Sequence, residues 1–145
     1  MEKMTTQEVV DFLLSAPRTA KLATVRDNGR PHVTPVWFDI EVGQTSFTLY
    51  FTTWHTTVKA ANLRRDSHVA LCVDDERPPF AFVVVEGKTE IIEDLDEISE
   101  WARRIAERYM GSESAESYGQ RNGVPGELLV KVTPEKIIGE RRISD

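Results

Sequence analysis

A mainly β fold with flanking helices is what this 145-residue chain predicts, on three observations. Apolar and polar side chains alternate at the strand period through much of residues 20–92. An Asn-Gly pair, Asn28-Gly29, separates the first two such runs, and this dipeptide accepts the positive φ values of a tight hairpin turn. Helical spacing of apolar residues is confined to short stretches beside the strands.

The elements follow in order. Thr5-Thr-Gln-Glu8 resembles a capping box, and Val9, Phe12 and Leu13 share a helical face before Pro17 ends the element. Ala20–Val25 is the first strand, and Arg26–Arg30 carries the turn. The return strand spans 31–40 with Pro35 in its middle. Proline cannot donate to a ladder, so Pro35 marks an edge, a bulge or an interruption. A strand runs from Thr45 to Phe51, a short helix from 57 to 65 and another strand from Ser67 to Val73. After the acidic turn 74–76 and Pro78-Pro79, Phe80–Ile92 is the longest strand, with a bulge expected at Gly87. Asp94 starts a helix in which Ile98, Trp101, Ala102, Ile105 and Tyr109 recur at helical spacing. Residues 111–126 hold four glycines and no periodicity and read as a polar loop. Glu127–Val132 closes the chain's β structure, with a further extended piece over 136–139. Nothing divides the chain, so residues 1–145 form one domain.

Composition narrows the function. Hydrophobic residues make up 40% and charged residues 29%, the proportions of an ordinary globular chain. The net charge of −6 argues against nucleic-acid binding, which wants a basic face. No apolar run approaches the roughly 18 residues needed to insert in a membrane, and Glu8 and Asp11 break any signal-peptide core. Cys72 is the only cysteine, so no intrachain disulfide can form and a cytoplasmic location is the expectation. His32, His55 and His68 lack zinc-like spacing, so no metal site is expected. No glycine-rich dinucleotide fingerprint, P-loop or serine-nucleophile elbow is present.

Two segments carry candidate chemistry. In Phe51–Asn62, Thr52, Thr53, Thr56 and Thr57 precede a helix whose first turn holds Lys59. Hydroxyls, unpaired N–H groups at a helix start and a lysine can together cradle a phosphate. The alternative is that a threonine merely caps the helix and Lys59 is solvated. In the second segment, Val36, Trp37 and Phe38 follow the interruption at Pro35. That suits a flat apolar slot for a planar heterocycle, or equally an edge strand whose aromatics fill the core.

Taken as an ordered set, these segments carry a resemblance. Ala23-Thr-Val25, Asn28-Gly-Arg-Pro-His-Val-Thr-Pro-Val-Trp-Phe38, Phe51-Thr-Thr53, Lys59-Ala-Ala-Asn-Leu-Arg-Arg-Asp66 and Val69-Ala-Leu71 resemble the pyridoxamine-phosphate-oxidase-like split-barrel family. Within it, the chain is most similar to the small flavin- and deazaflavin-dependent oxidoreductases. The resemblance implies a six-stranded split β-barrel, a homodimer and cofactor sites at the dimer interface. It assigns Pro35, Val36 and Trp37 to the ring slot, and Thr52, Thr53, Thr57 and Lys59 to the phosphate, with Asn62 as a further donor. It also implies partner-subunit contacts from the strand Phe80–Val85. No catalytic side chain is required, because the cofactor ring carries the hydride chemistry. Quinones and tetrapyrroles such as biliverdin are the small-molecule substrates such relatives reduce.

The chain departs from the family pattern in three places. Many members carry an arginine in the turn before the lysine, where this chain has Trp54-His-Thr-Thr57; a protonated His55 could replace it. The C-terminal part lacks the basic and aromatic pattern of true pyridoxamine-phosphate oxidases, which argues against vitamin B6 synthesis. The segment 111–126 is distinctive. Between cofactors, the deazaflavin coenzyme F420 is favoured over FMN from the Thr34-Pro-Val-Trp-Phe38 segment, with Arg18, Lys21, Arg26 and Arg30 available for its polyglutamate tail. Two other classes compete with an enzyme: a flavin- or haem-binding sensor or storage protein using His55 or His68, and a cofactor-free dimeric scaffold.

Overall fold

A computed structural model describes all 145 residues. Its elements are β1 (Glu2–Lys3), α1 (Thr6–Ser15), β2 (Ala20–Val25), β3 (Pro31–Val36), β4 (Asp39–Val42), β5 (Phe47–Trp54), α2 (Val58–Arg65), β6 (His68–Asp75), β7 (Ala81–Ile92), α3 (Leu95–Met110), α4 (Ser112–Asn122) and β8 (Glu127–Arg141). The strands form one antiparallel sheet in the order β3-β2-β6-β7-β8-β5-β4, with β1 pairing the end of β8. The fold is mainly β with flanking helices, as the alternation in the sequence requires.

The sheet has eight strands where six are expected. One addition is the two-residue β1. The other arises because the return strand 31–40 is cut in two. β3 ends at Val36, the chain turns through Trp37 and Phe38, and Asp39 begins β4 beside a different neighbour, β5. The Phe38 N–H, lost to the ladder there, donates to the Tyr109 hydroxyl at 3.3 Å. That hydroxyl in turn donates to the Arg18 carbonyl at 2.7 Å. Pro35 lies on β3, the sheet's edge strand, where its missing N–H costs nothing.

A bulge at Gly87 bends the long hairpin of β7 and β8. Glu86 pairs with Lys136 but Gly87 pairs with Pro134, so Glu135 is the extra residue. A Cβ at Gly87 would lie 2.4 Å from the Thr133 carbonyl oxygen, which no side chain tolerates. The same irregularity lets Pro134 sit inside a strand, and the expected pieces 127–132 and 136–139 become one 15-residue strand.

One core cluster of 19 residues draws on β2 through β8 and on α1 and α2, so the curled sheet encloses a single interior. Thr5 and Glu8 close the capping box of α1, which buries Val9, Val10 and Leu13 in that interior. A smaller cluster lies outside it, where Ile98 and Trp101 of α3 pack on Tyr50 and Leu129. The Tyr50 and Trp101 rings stack 3.8 Å apart.

The segment read as a polar loop is helical. α4 packs on α3 through two glycines: a Cβ at Gly119 would meet the Ser99 carbonyl at 3.1 Å, and one at Gly123 would meet the Ser99 Cβ at 2.8 Å. The Ser99 hydroxyl donates to the Gly119 carbonyl at 3.0 Å. These glycines are close-approach residues rather than helix breakers. No helix is long and apolar enough to cross a membrane.

Candidate functional site

Three separated segments of chain meet around one cleft of about 470 Å³. The kink after β3 supplies Pro35, Val36 and Trp37. The end of β5 and the start of α2 supply Thr52, Thr53, Thr57 and Lys59. Helices α3 and α4 form the opposite wall with Ala102, Ile105, Tyr118 and Arg121, and Glu127 at the start of β8 closes one end.

The ring-slot end is aromatic. Trp37 lies flat on Tyr109, with centroids 4.9 Å apart and planes 4° from parallel, and Tyr118 tilts against it at 6.4 Å. Trp37 remains 39% exposed, so it is a wall of the cleft and not a core residue. Tyr109 therefore does two things: it catches the freed Phe38 N–H and it sets the plane of the indole.

The polar end can be accounted for donor by donor. Thr57 caps α2, its oxygen accepting the Ala60 N–H at 3.2 Å while its hydroxyl donates to the Trp54 carbonyl at 2.9 Å. With that proton committed, the 2.8 Å contact between Thr53 and Thr57 has Thr53 as donor. The N–H groups of Val58 and Lys59, in the first turn, have no backbone or side-chain acceptor. The Lys59 N–H and ammonium, the Thr52 hydroxyl and the Arg121 guanidinium are what the cleft offers an anion. Burial pushes the Lys59 pKa down, with Glu127 opposing. Burial pushes the Glu127 carboxyl up, while Thr52, Arg121 and Lys59 beside it pull the other way.

Asn62 is not part of this arrangement. It is 3% exposed and its amide donates to the Thr24 hydroxyl at 3.0 Å, fastening α2 to β2. Its side chain is committed to β2 inside the barrel instead of the cleft. Nor does His55 stand in for the family's arginine: its Nδ1 lies 3.1 Å from the Gly126 carbonyl oxygen, outside the cleft. Arg121 provides the second cation from α4. That contribution was hidden because residues 111–126 read as a loop. The signal available was Ala115, Tyr118, Gly119 and Asn122, which recur at helical spacing, with Glu113 near the start and Arg121 near the end, charges placed to suit a helix.

Two of the four basic residues near the first hairpin are already paired. Arg18 meets Asp75 at 3.1 Å and Lys21 meets Asp74 at 3.0 Å. His68 is likewise engaged, with Asp66 at 2.8 Å.

A curled antiparallel sheet closed on one interior, with flanking helices, is the architecture of a split-barrel protein. The family model described as pyridoxamine 5'-phosphate oxidase matches residues 5–140, and the chain belongs to that family. No curated protein sequence matches the chain. Among solved structures, the conserved hypothetical protein Rv2991 from Mycobacterium tuberculosis is similar at 27% identity, covering 98% of this chain and 89% of that one, with a TM-score of 0.82. An F420 reductase is similar at 26% identity over 88% of this chain and 94% of that one, with a TM-score of 0.66. The haem storage protein HutZ from Vibrio cholerae, at 18% identity over 94% and 96% of the two chains and a TM-score of 0.67, shares the fold.

Proposed function

We propose that this protein is an oxidoreductase that uses a flavin-type cofactor, coenzyme F420 ahead of FMN, to pass hydride to a conjugated small-molecule acceptor such as a quinone or a tetrapyrrole. The observation that carries this reading is the convergence of the aromatic kink Pro35–Trp37 and the cation-bearing start of α2 on one cleft. The residues fit such a group. Lys59 with its backbone N–H, Arg121 and Thr52 would hold its phosphate end, and the Trp37 wall would orient its planar end. The bound ring supplies the hydride chemistry. The protein's part is to bind, orient and shield, and no side chain is required as a general acid or base. Similarity to an F420 reductase supports F420 over FMN. Arg26 and Arg30, which make no ion pair, are the residues left for a carboxylate tail.

The cleft is open, and a second copy of the chain would complete it. Val83 and Val85 point inward at 0% and 2% exposure, so Val84 points out, between Cys72 and Ile138 on the neighbouring strands. With Phe82 in the same row, this gives the outer face of β6, β7 and β8 an apolar strip suited to a two-fold interface. With one unpaired cysteine, a reducing cytoplasm is the proposed setting.

Turnover tests the reading directly. Reduced F420 or reduced FMN is mixed with the protein and a quinone or biliverdin, and reoxidation is followed by the cofactor's absorption. Acceleration over the protein-free rate, lost in Lys59→Ala, is the expected result. Binding without acceleration for any acceptor would leave a sensor or storage protein instead.

A further inference from the structure

The cleft holds an acid where an anion is expected. Glu127 opens β8 opposite Trp54 of β5, and its carboxylate faces Thr52, Lys59 and Arg121, the groups that would receive a phosphate. The other charged groups near it are committed elsewhere. His55 faces the Gly126 carbonyl, and Arg64 of α2 pairs with Glu93 at 3.1 Å across the neighbouring hollow. Three elements therefore bring two cations and a hydroxyl into one cleft with an internal carboxylate.

We infer, on the basis of the cofactor reading above, that Glu127 is an internal competitor for the anion site: its carboxylate offsets the charge of Lys59 and Arg121 across the cleft until a phosphate-bearing ligand arrives, and then takes up one proton from solvent. Two like charges sharing one pair of cations disfavour each other's ionised form, and the weaker acid yields. Glu127 is a weaker acid than the first ionisation of a phosphate ester, since burial already pushes its carboxyl above the usual carboxylate range. The balance is simple: one proton is bound at Glu127 for each anion bound, and no bond to the ligand changes. The sign follows. Ligand affinity is highest where Glu127 is protonated and falls as pH rises through its pKa, by at most tenfold per pH unit for a single proton.

The test compares the full-length protein with Glu127→Gln, an isosteric change that keeps a hydrogen-bonding side chain, and with Glu127→Ala as a second route to the same loss of charge. Dissociation constants for FMN and for riboflavin, which has the ring without the phosphate, are measured by fluorescence from pH 5.5 to 8.5. The free phosphate's own second ionisation near pH 6 is common to all three titrations. In the wild type, FMN affinity should fall with pH more steeply than in either variant. At pH 8 both variants should bind FMN about tenfold or more tighter than the wild type, with riboflavin unaffected. Calorimetry in two buffers of different ionisation heat should count the additional proton in the wild type alone. The same titrations are run with coenzyme F420. Equal pH slopes in wild type and variants, or weaker binding by the variants, would overturn the inference while leaving the cleft as the cofactor site. Failure of every protein to bind either cofactor would remove the anion cradle itself, and the inference with it.

Discussion

Lys59→Ala is expected to weaken cofactor binding about 10- to 100-fold while leaving the melting temperature nearly unchanged. The magnitude is that of one lost charge-assisted hydrogen bond, roughly 1.5–3 kcal/mol. Stability should hold because Lys59 lies in the first turn of α2, outside the core cluster, and makes no ion pair within the 4 Å limit of a salt bridge. Its one electrostatic neighbour is Glu127. Removing the ammonium leaves that carboxylate with Arg121 alone, which is a second reason the site loses its hold on an anion. Dissociation constants and melting curves measured on the same preparations separate the two effects. An unchanged dissociation constant would take Lys59 out of the site.

Val84→Asp is expected to yield monomers that also bind cofactor poorly. Val84 faces outward beside Cys72 and Ile138, so an aspartate there does not enter the barrel. In a two-fold interface the substitution appears on both protomers, and each buried carboxylate carries a desolvation penalty of several kcal/mol. That exceeds what a modest interface can absorb. Val83→Asp is unsuitable as a test, because Val83 is fully buried and its loss would unfold the chain. Sedimentation run alongside cofactor titration reads both outcomes. A monomeric variant with normal affinity would mean that one subunit makes the whole site.

How much of this was legible in the sequence depends on what holds each element in place. Strands with clean alternation, such as β2 and β6, and the hairpin at Gly29 could be read directly, since period and turn chemistry are local. The bulge at Gly87 was visible because a glycine that breaks a long strand's pattern is itself a local sign, although the Thr133 carbonyl that requires it lies on β8. The division of residues 31–40 into β3 and β4 was half-visible. Pro35 signalled an interruption, but the partner that catches the Phe38 N–H is Tyr109, 71 residues away. No local pattern encodes that distance. α4 was missed because its glycines answer to Ser99 on another helix, and with it went Tyr118 and Arg121.

The site divides along the same line. Pro35, Val36, Trp37, Thr52, Thr53, Thr57 and Lys59 line one cleft because the curl of the sheet brings the ends of β3 and β5 together although they lie towards opposite edges of the sheet order. Asn62 was drawn in by proximity in sequence, whereas its amide is taken by the Thr24 hydroxyl in the interior. Glu127 looked like the first residue of a closing strand, and nothing in its neighbours announced that β5 would bring Thr52 and α2 would bring Lys59 to its carboxylate.

The most direct measurement is titration of the purified protein with coenzyme F420 and with FMN, following cofactor and tryptophan fluorescence together in a variant that retains only Trp37. The account predicts saturable binding of one cofactor per chain, mutual competition between the two cofactors, tighter binding of F420, and quenching of Trp37 in step with occupancy. Binding with no response from Trp37 would contradict the placement of the ring, and no saturable binding of either cofactor would contradict the cleft as a cofactor site.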